Sequence, residues 1–159
     1  MKKVLSFTLA LVMMLSATVT AFAADTTITM DSESNSADTS ITYNVAPAYT
    51  VTIPATVTLG DTATVKVENT MLKLGDEVNV KLTGTSEADD TFKVKTAQGA
   101  ELAYTVKDGN TVINVGDTVI SCASQVSDQV DLFFTAPTSV QYAGDYSGTV
   151  TFTVSVETV

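Results

Sequence analysis

The chain has 159 residues, with 18 Asp and Glu against 8 basic residues, all of them Lys, and it contains no His, no Trp and a single Cys. The absence of His excludes a Ser-His-Asp triad, a Cys-His pair and a His-bearing zinc site, and one Cys excludes an intrachain disulfide. A formal net charge of −10 argues against binding to nucleic acid or to an anionic membrane surface, because both require a positive field.

Residues 1–23 have the pattern of an export signal. A Lys pair at positions 2 and 3 is followed by an apolar stretch and by the small-x-small sequence Ala-Phe-Ala. The apolar stretch is too short to span a bilayer comfortably. We predict a signal peptide cleaved near Ala23/Ala24 and an extracellular protein with no membrane segment after cleavage. Loss of the two Lys leaves six Lys against 18 acidic residues, so the formal charge becomes −12.

The rest of the sequence alternates between apolar and polar residues with a period of two. It is rich in Thr and Val, which are β-branched and favour strands. Turn signals recur about every ten residues, which predicts a single antiparallel β-sandwich, immunoglobulin-like or jelly-roll-like, with roughly nine to eleven short strands and little or no helix. One helical turn over 123–128 is the single alternative to strand. The clearest strands lie at 41–45, 49–53, 65–67, 78–82, 92–94 and 150–156.

One hairpin has a register that can be derived from the sequence. The segments 101–107 and 110–115 flank Asp108-Gly109, a preferred pair for a two-residue type I′ turn. With this pair as the loop, Val106 faces Thr111, and one face gathers Leu102, Tyr104, Ile113 and Val115.

Further turns are predicted at the Gly-Asp pairs 60–61, 75–76, 116–117 and 144–145, and a bend at Pro54. The mature chain then divides into an N-terminal strand with a polar linker over 24–40 and a sandwich domain over 41–159.

Three stretches resemble secreted bacterial surface domains. Residues 73–82 (KLGDEVNVKL) resemble the K-x-G-D-x-V-x-V-x-L opening of a strand in secreted bacterial immunoglobulin-like domains. Residues 142–154 (YAGDYSGTVTFTV), preceded by Ala136-Pro137, resemble the closing strand of bacterial surface β-sandwiches, including fimbria-like subunits and envelope proteins of Firmicutes, and residues 49–55 add to this. The resemblance implies an extracellular, often adhesive or structural, role and supplies no catalytic residue.

Better-defined surface proteins are not matched. The Trp-x-Leu cell-wall-binding domains need Trp, and a sortase substrate needs an Leu-Pro-x-Thr-Gly signal, which this sequence lacks. Pilin domains with Lys–Asn isopeptide bonds carry a Glu-Thr-x-Ala-Pro box, and here Phe134 stands near the position of that Glu. No covalent anchor is therefore predicted.

Two acidic segments are candidate sites. The loop 31–38 offers oxygen ligands for calcium, but their order does not fit an EF-hand and a solvated acidic linker explains them as well. Glu87, Asp89 and Asp90 could supply a carboxylate pair for glycoside hydrolysis, yet a solvated strand connection is the better reading. We assign no catalytic, cofactor-binding or metal residue, leave the binding residues open and predict no enzyme.

The remaining candidate functional residues are the Cys and the tyrosines. Cys122 is in phase with Ile120, which favours a buried small residue over an exposed thiol that links chains. The tyrosines could stack on sugars if several shared an exposed face. We instead expect three of them in the core and two framing the last turn, where a hydroxyl reaching back to the backbone would resemble a tyrosine corner. The core set is Tyr43, Tyr49 and Tyr104, and the turn set is Tyr142 and Tyr146.

The sequence thus predicts an exported, non-enzymatic surface or matrix protein with a structural or adhesive role. Its partners would be itself, through strand addition by residues 26–30 or by the last strand 149–156, or other cell-envelope or host-surface components. The alternative is a carbohydrate-binding module of the sandwich type. No cofactor is implied.

Overall fold

The computed structural model describes residues 27–31 and 36–159. The predicted signal peptide and part of the acidic loop 31–38 lie outside the described residues. In the described part of the chain there is no helix, and hence no apolar helical segment of membrane-spanning length. It forms ten strands: β1 Ala48–Thr52, β2 Thr62–Met71, β3 Asp76–Thr85, β4 Lys93–Lys95, β5 Glu101–Ala103, β6 Val106–Asp108, β7 Thr111–Ile113, β8 Thr118–Ala123, β9 Asp128–Phe134 and β10 Val150–Thr158.

The strands form antiparallel sheets, so the predicted all-β sandwich architecture is confirmed. A five-stranded sheet has the order β1-β2-β9-β6-β7, a three-stranded sheet has the order β10-β3-β8, and β4 pairs with β5 separately. In the three-stranded sheet no two neighbours are consecutive in the chain, whereas the immunoglobulin order places its last two strands side by side. Successive strands therefore cross repeatedly between the two sheets.

The core lies between the two large sheets, because each strand turns its apolar positions inward. Val65 and Leu132 are fully buried on the five-stranded sheet, and Val80 and Leu82 are fully buried on the facing sheet. Each such side chain contributes roughly 1.5–3 kcal/mol of apolar burial. The partners in this core are Val51, Ala63, Val67, Val78, Tyr104, Val106, Ile113, Ile120, Cys122, Val130 and Phe134.

Three of the four Gly-Asp pairs form the same hydrogen-bonded turn. The N–H groups of Asp61, Asp76 and Asp117 donate to carbonyl oxygens three residues earlier, at 3.0, 3.1 and 3.1 Å. The preceding glycines have φ of 98°, 86° and 98°, as the third position of a type II turn requires. The prediction of turns at these three pairs is confirmed. The pair 144–145 lies in an extended loop with a bend.

The predicted hairpin exists, but its register differs by two residues. Asp108 pairs with Thr111 and Val106 pairs with Ile113, so the loop is Gly109-Asn110. Gly109 has a φ of 56°, and a Gly at the first loop position suits a type II′ turn. Because the shift is an even number, Val106 and Ile113 still face the core.

The prediction of a strand at 41–45 is wrong. Residues 36–47 form no strand and their side chains are exposed, and the same holds for residues 27–31. Tyr43, predicted in the core, is exposed, whereas Tyr104 is buried as predicted and Tyr49 is half-buried. Alternation creates a strand only where a partner edge accepts it, and Pro47 cannot donate a hydrogen bond next to β1.

The connection between β8 and β9 is a tight turn and not the helical turn considered over 123–128. The Val126 N–H donates to the Ala123 carbonyl oxygen at 3.3 Å, and Gln125 has a φ of 62°. The chain crosses here from one sheet to the other.

We expect Leu132→Ala to lower the free energy of unfolding by about 2–5 kcal/mol, because it leaves a cavity between the sheets. Leu74→Ala is the matched control, since Leu74 is fully exposed in its turn, and should change stability by less than about 0.5 kcal/mol. Urea unfolding measures both. Equal losses would contradict the assignment of Leu132 to the core.

Candidate functional site

An apolar crevice opens between the two sheets at the end of the sandwich where β1 ends and β10 begins. Its volume is about 600 Å³, and its walls include Ile53, Leu59, Tyr104, Val150 and Phe152. None of the residues that line it carries a charge. Its size lies in the range of ligand pockets.

One wall is the connection from β1 to β2. Pro54 lacks an N–H and residues 53–61 leave the sheet. This loop is held to β9 by two backbone bonds, in which the Gly60 N–H donates to the Phe134 carbonyl oxygen at 2.7 Å and the Phe134 N–H donates to the Asp61 carbonyl oxygen at 3.0 Å. The loop is therefore anchored at its far end while its apolar side chains border the crevice.

The opposite wall is the segment 142–149. The Tyr146 hydroxyl donates to the Tyr142 carbonyl oxygen at 2.8 Å, so the predicted tyrosine-corner contact is confirmed. Lys95 and Ser147 exchange backbone hydrogen bonds of 2.9 and 3.0 Å. At Gly148 a Cβ would lie 2.8 Å from the Lys93 carbonyl oxygen, so glycine is needed for this close approach.

A cluster of ion pairs fastens β4 and β5 beside this wall. Lys95 Nζ lies 2.6 Å from Glu87 Oε2 and 3.0 Å from Glu101 Oε1, and Lys93 Nζ lies 3.5 Å from Glu101 Oε2. Hydrogen bonding from Lys95 lowers the pKa of Glu101, and hydrogen bonding to Glu87, then to Glu101, raises the pKa of Lys95. The cluster has a structural role.

The three loop carboxylates considered for catalysis make local contacts. Glu87 pairs with Lys95. Asp89 accepts hydrogen bonds from the Thr91 hydroxyl at 2.7 Å and the Thr91 N–H at 3.3 Å, which lower the Asp89 pKa. Asp90 has a φ of 56° in the turn. These contacts shape the connection between β3 and β4.

The crevice adjoins the open edge of β10. This strand is the end strand of its sheet and spans nine residues. Within the described part of the chain, one of its edges pairs with β3 and no strand covers the other. Phe152 and Val154 are half-buried, and Val156 is 43% exposed. β10 contains neither Lys nor Pro, the residues that often protect such an edge.

The remaining candidates are dispersed. Cys122 is buried and its thiol donates to the Val126 carbonyl oxygen at 3.1 Å, and desolvation raises its pKa. The prediction that Cys122 is a buried small residue is confirmed. Tyr142 is exposed and Tyr146 half-buried. Among the described residues no group of three or more metal-ligating side chains converges, and residues 32–35 of the loop considered for calcium lie outside them.

No protein-family model matches the chain and no curated protein matches it in sequence. The crevice was not foreseen in the sequence, because its walls come from segments about ninety residues apart. A usable signal was charge: residues 39–60 and 146–156 contain none, although the chain is strongly acidic. These two stretches supply the β1–β2 loop, the inner face of β10 and much of the crevice.

We expect Gly148→Ala to lower the free energy of unfolding by about 1–3 kcal/mol, because its Cβ forces the crevice wall away from β4. Gly84→Ala is the matched control, since a Cβ there meets Thr151 Cβ at an ordinary 3.8 Å. Chemical unfolding of both variants tests this. A Gly148→Ala protein as stable as Gly84→Ala would contradict the close packing.

The ion-pair cluster predicts a pH-dependent contribution to stability. Because the Glu101 pKa is lowered in the folded state, ionised Glu101 contributes stability at pH values above 4.5, and this contribution is lost as pH falls through the lowered pKa. Because the Lys95 pKa is raised, protonated Lys95 contributes its full stability at pH values below 10.5. Lys95→Gln should therefore lower Tm at neutral pH, and the difference should shrink as pH falls below 4.5.

Lys107→Gln is the control for this change, because Lys107 forms no ion pair with the described residues. Thermal unfolding followed by circular dichroism across acidic and neutral pH measures both. A Lys95→Gln deficit that is unchanged in acid would contradict an electrostatic role.

Proposed function

We propose that this chain is an exported, non-enzymatic bacterial surface or matrix protein that acts as a structural interaction subunit, associating by β-strand addition. The observation that carries the proposal is the open edge of β10 beside the apolar crevice. A strand edge presents a row of backbone donors and acceptors that another strand can satisfy.

The composition of this edge supports an interaction role. Natural sheets commonly protect exposed edges with Lys, Pro or very short strands, and β10 spans nine residues with one charge, Glu157. Its inner-face residues Phe152, Val154 and Val156 remain partly exposed. An added strand would satisfy the backbone groups and cover these side chains together.

Two sequence features support the cellular setting. Residues 1–23 have the pattern of an export signal, and the stretches 49–55, 73–82 and 142–154 resemble bacterial surface sandwiches. The partner is a second copy of the chain or another protein of the cell envelope or of a host surface.

The test is the association state of the protein that begins at Ala24. We expect oligomers by light scattering during size-exclusion chromatography. Val156→Lys should weaken association by roughly tenfold or more, because an unpaired charge at a buried contact costs more than the about 1.4 kcal/mol that a factor of ten represents.

Val112→Lys is the matched control, since Val112 lies on the edge strand β7 at 47% exposure, close to the 43% of Val156. It makes the same charge change on another edge and should leave association unchanged. The proposal is overturned when the wild-type protein stays monomeric at high concentration and no strand-donating partner binds it. Equal weakening by both variants overturns it as well.

A further inference from the structure

We propose that the strand added to β10 is the segment Ile41–Val45 of a second copy of this chain, with its apolar side chains turned toward the crevice. This inference rests on the proposed function and names the partner for that site. It takes the place of residues 26–30 as the donor suggested by the sequence, and the other suggested donor, the last strand 149–156, is already paired with β3.

The donor segment has the pattern of a strand without a sheet. Ile41 and Tyr43 are each 92% exposed and Val45 is 51% exposed, while Thr42 and Asn44 alternate with them. Such a period-two pattern buries one face when the segment is paired. In the described structure no other residues bury these three apolar side chains, and their exposure to water is unfavourable.

The acceptor matches this pattern in chemistry. Val150 and Phe152 of β10 border the crevice, and the Tyr104 and Phe134 rings in its walls have centroids 6.0 Å apart. An edge that offers backbone pairing next to pockets for alternate side chains is the usual basis of strand addition. The aromatic walls suit Tyr43, whose ring can pack against them while its hydroxyl stays at the open mouth.

Charge also favours this pair of surfaces. Copies that begin at Ala24 each carry a formal charge of −12 and repel one another. The donor lies in the uncharged stretch 39–60, and the acceptor edge lies in the uncharged stretch 146–156. Contact between these stretches brings no additional pair of carboxylates together.

Distance indicates that the donor comes from another copy. Ala48 lies opposite Met71, and the short connection 72–75 leads to Asp76, opposite Thr158. The donor segment therefore leaves the sandwich near the end of β10, whereas the crevice lies near Val150. Thr158 and Val150 are about 26 Å apart along the strand, but the link from Tyr43 to Ala48 spans at most about 18 Å.

The experiment is disulfide cross-linking between two single variants of the chain that begins at Ala24. Isotopically labelled Thr42→Cys protein is mixed with unlabelled Thr149→Cys protein under oxidising conditions, and mass spectrometry identifies mixed dimers. Thr42 and Thr149 are exposed, and Thr42 alternates with the apolar residues of the donor, so neither change disturbs the core or the proposed apolar contact. The native Cys122 is buried and contributes no link. Val112→Cys replaces Thr149→Cys in the control mixture.

We expect mixed dimers in the Thr149→Cys mixture at roughly tenfold or greater yield over the Val112→Cys mixture, which corresponds to about 1.4 kcal/mol of preference. The peptide of residues 39–47 should suppress this link. A peptide of the same composition with Thr42 and Tyr43 exchanged should not, because Ile and Tyr then lie on opposite faces of the strand.

The outcomes separate the two proposals. Oligomers that form without a preference for Thr149→Cys, or that are unaffected by the matched peptide, overturn the assignment of Ile41–Val45 as donor and leave association by β10 intact. A chain that forms neither oligomers nor mixed dimers overturns the donor assignment and self-association through β10. Suppression by both peptides alike also overturns the donor assignment.

Discussion

The two halves of this sandwich differ in width, because a sheet of five strands faces a sheet of three. The apolar face of the wider sheet extends beyond the strands that cover it. The additional hairpin β4–β5 and the loops 53–61 and 142–149 fill much of the difference, and the crevice is what they leave open. The half-buried inner face of β10 has the same origin, since a strand at the margin of the narrower sheet has a neighbour on one side.

This geometry explains why a glycine and an ion-pair cluster occur where they do. The segment 142–149 must approach β4 closely to close the wall, and Gly148 permits that approach. β4 and β5 belong to neither large sheet. Lys93 and Lys95 pair with Glu101 across this hairpin, and Lys95 also pairs with Glu87 in the preceding connection. With one Cys in the sequence, no intrachain disulfide can replace these contacts, and packing with backbone hydrogen bonds stabilises the fold.

Sequence alternation predicted the sheets well because successive side chains of a strand point to opposite faces, so a strand with one buried face has apolar residues at every second position. Val65, Val80 and Leu82 face the core as expected, and glycines with a positive φ marked three turns. The hairpin register differs from the predicted one because both Asp-Gly and Gly-Asn are acceptable two-residue loops. Both registers keep the same side chains on the inward face, so the hydrophobic pattern does not distinguish them. Residues 41–45 show the limit of alternation as a signal, since their pattern predicts a strand but carries no information about a partner edge, and they form no strand in the described structure.

The crevice could not be predicted for a related reason. It forms where the narrower sheet does not cover the wider one, and period-two patterning carries no information about the relative widths of two sheets. The charge distribution indicates instead which surface repels a second acidic copy least. In a chain with 18 acidic residues, two long uncharged stretches meet at one end of the sandwich, where a like-charged neighbour would be repelled least. Net negative charge elsewhere opposes indiscriminate pairing of exposed edges. The same acidity that argues against nucleic acid as a partner favours, for the proposed association, contact between copies at the surface where the open edge and the crevice lie.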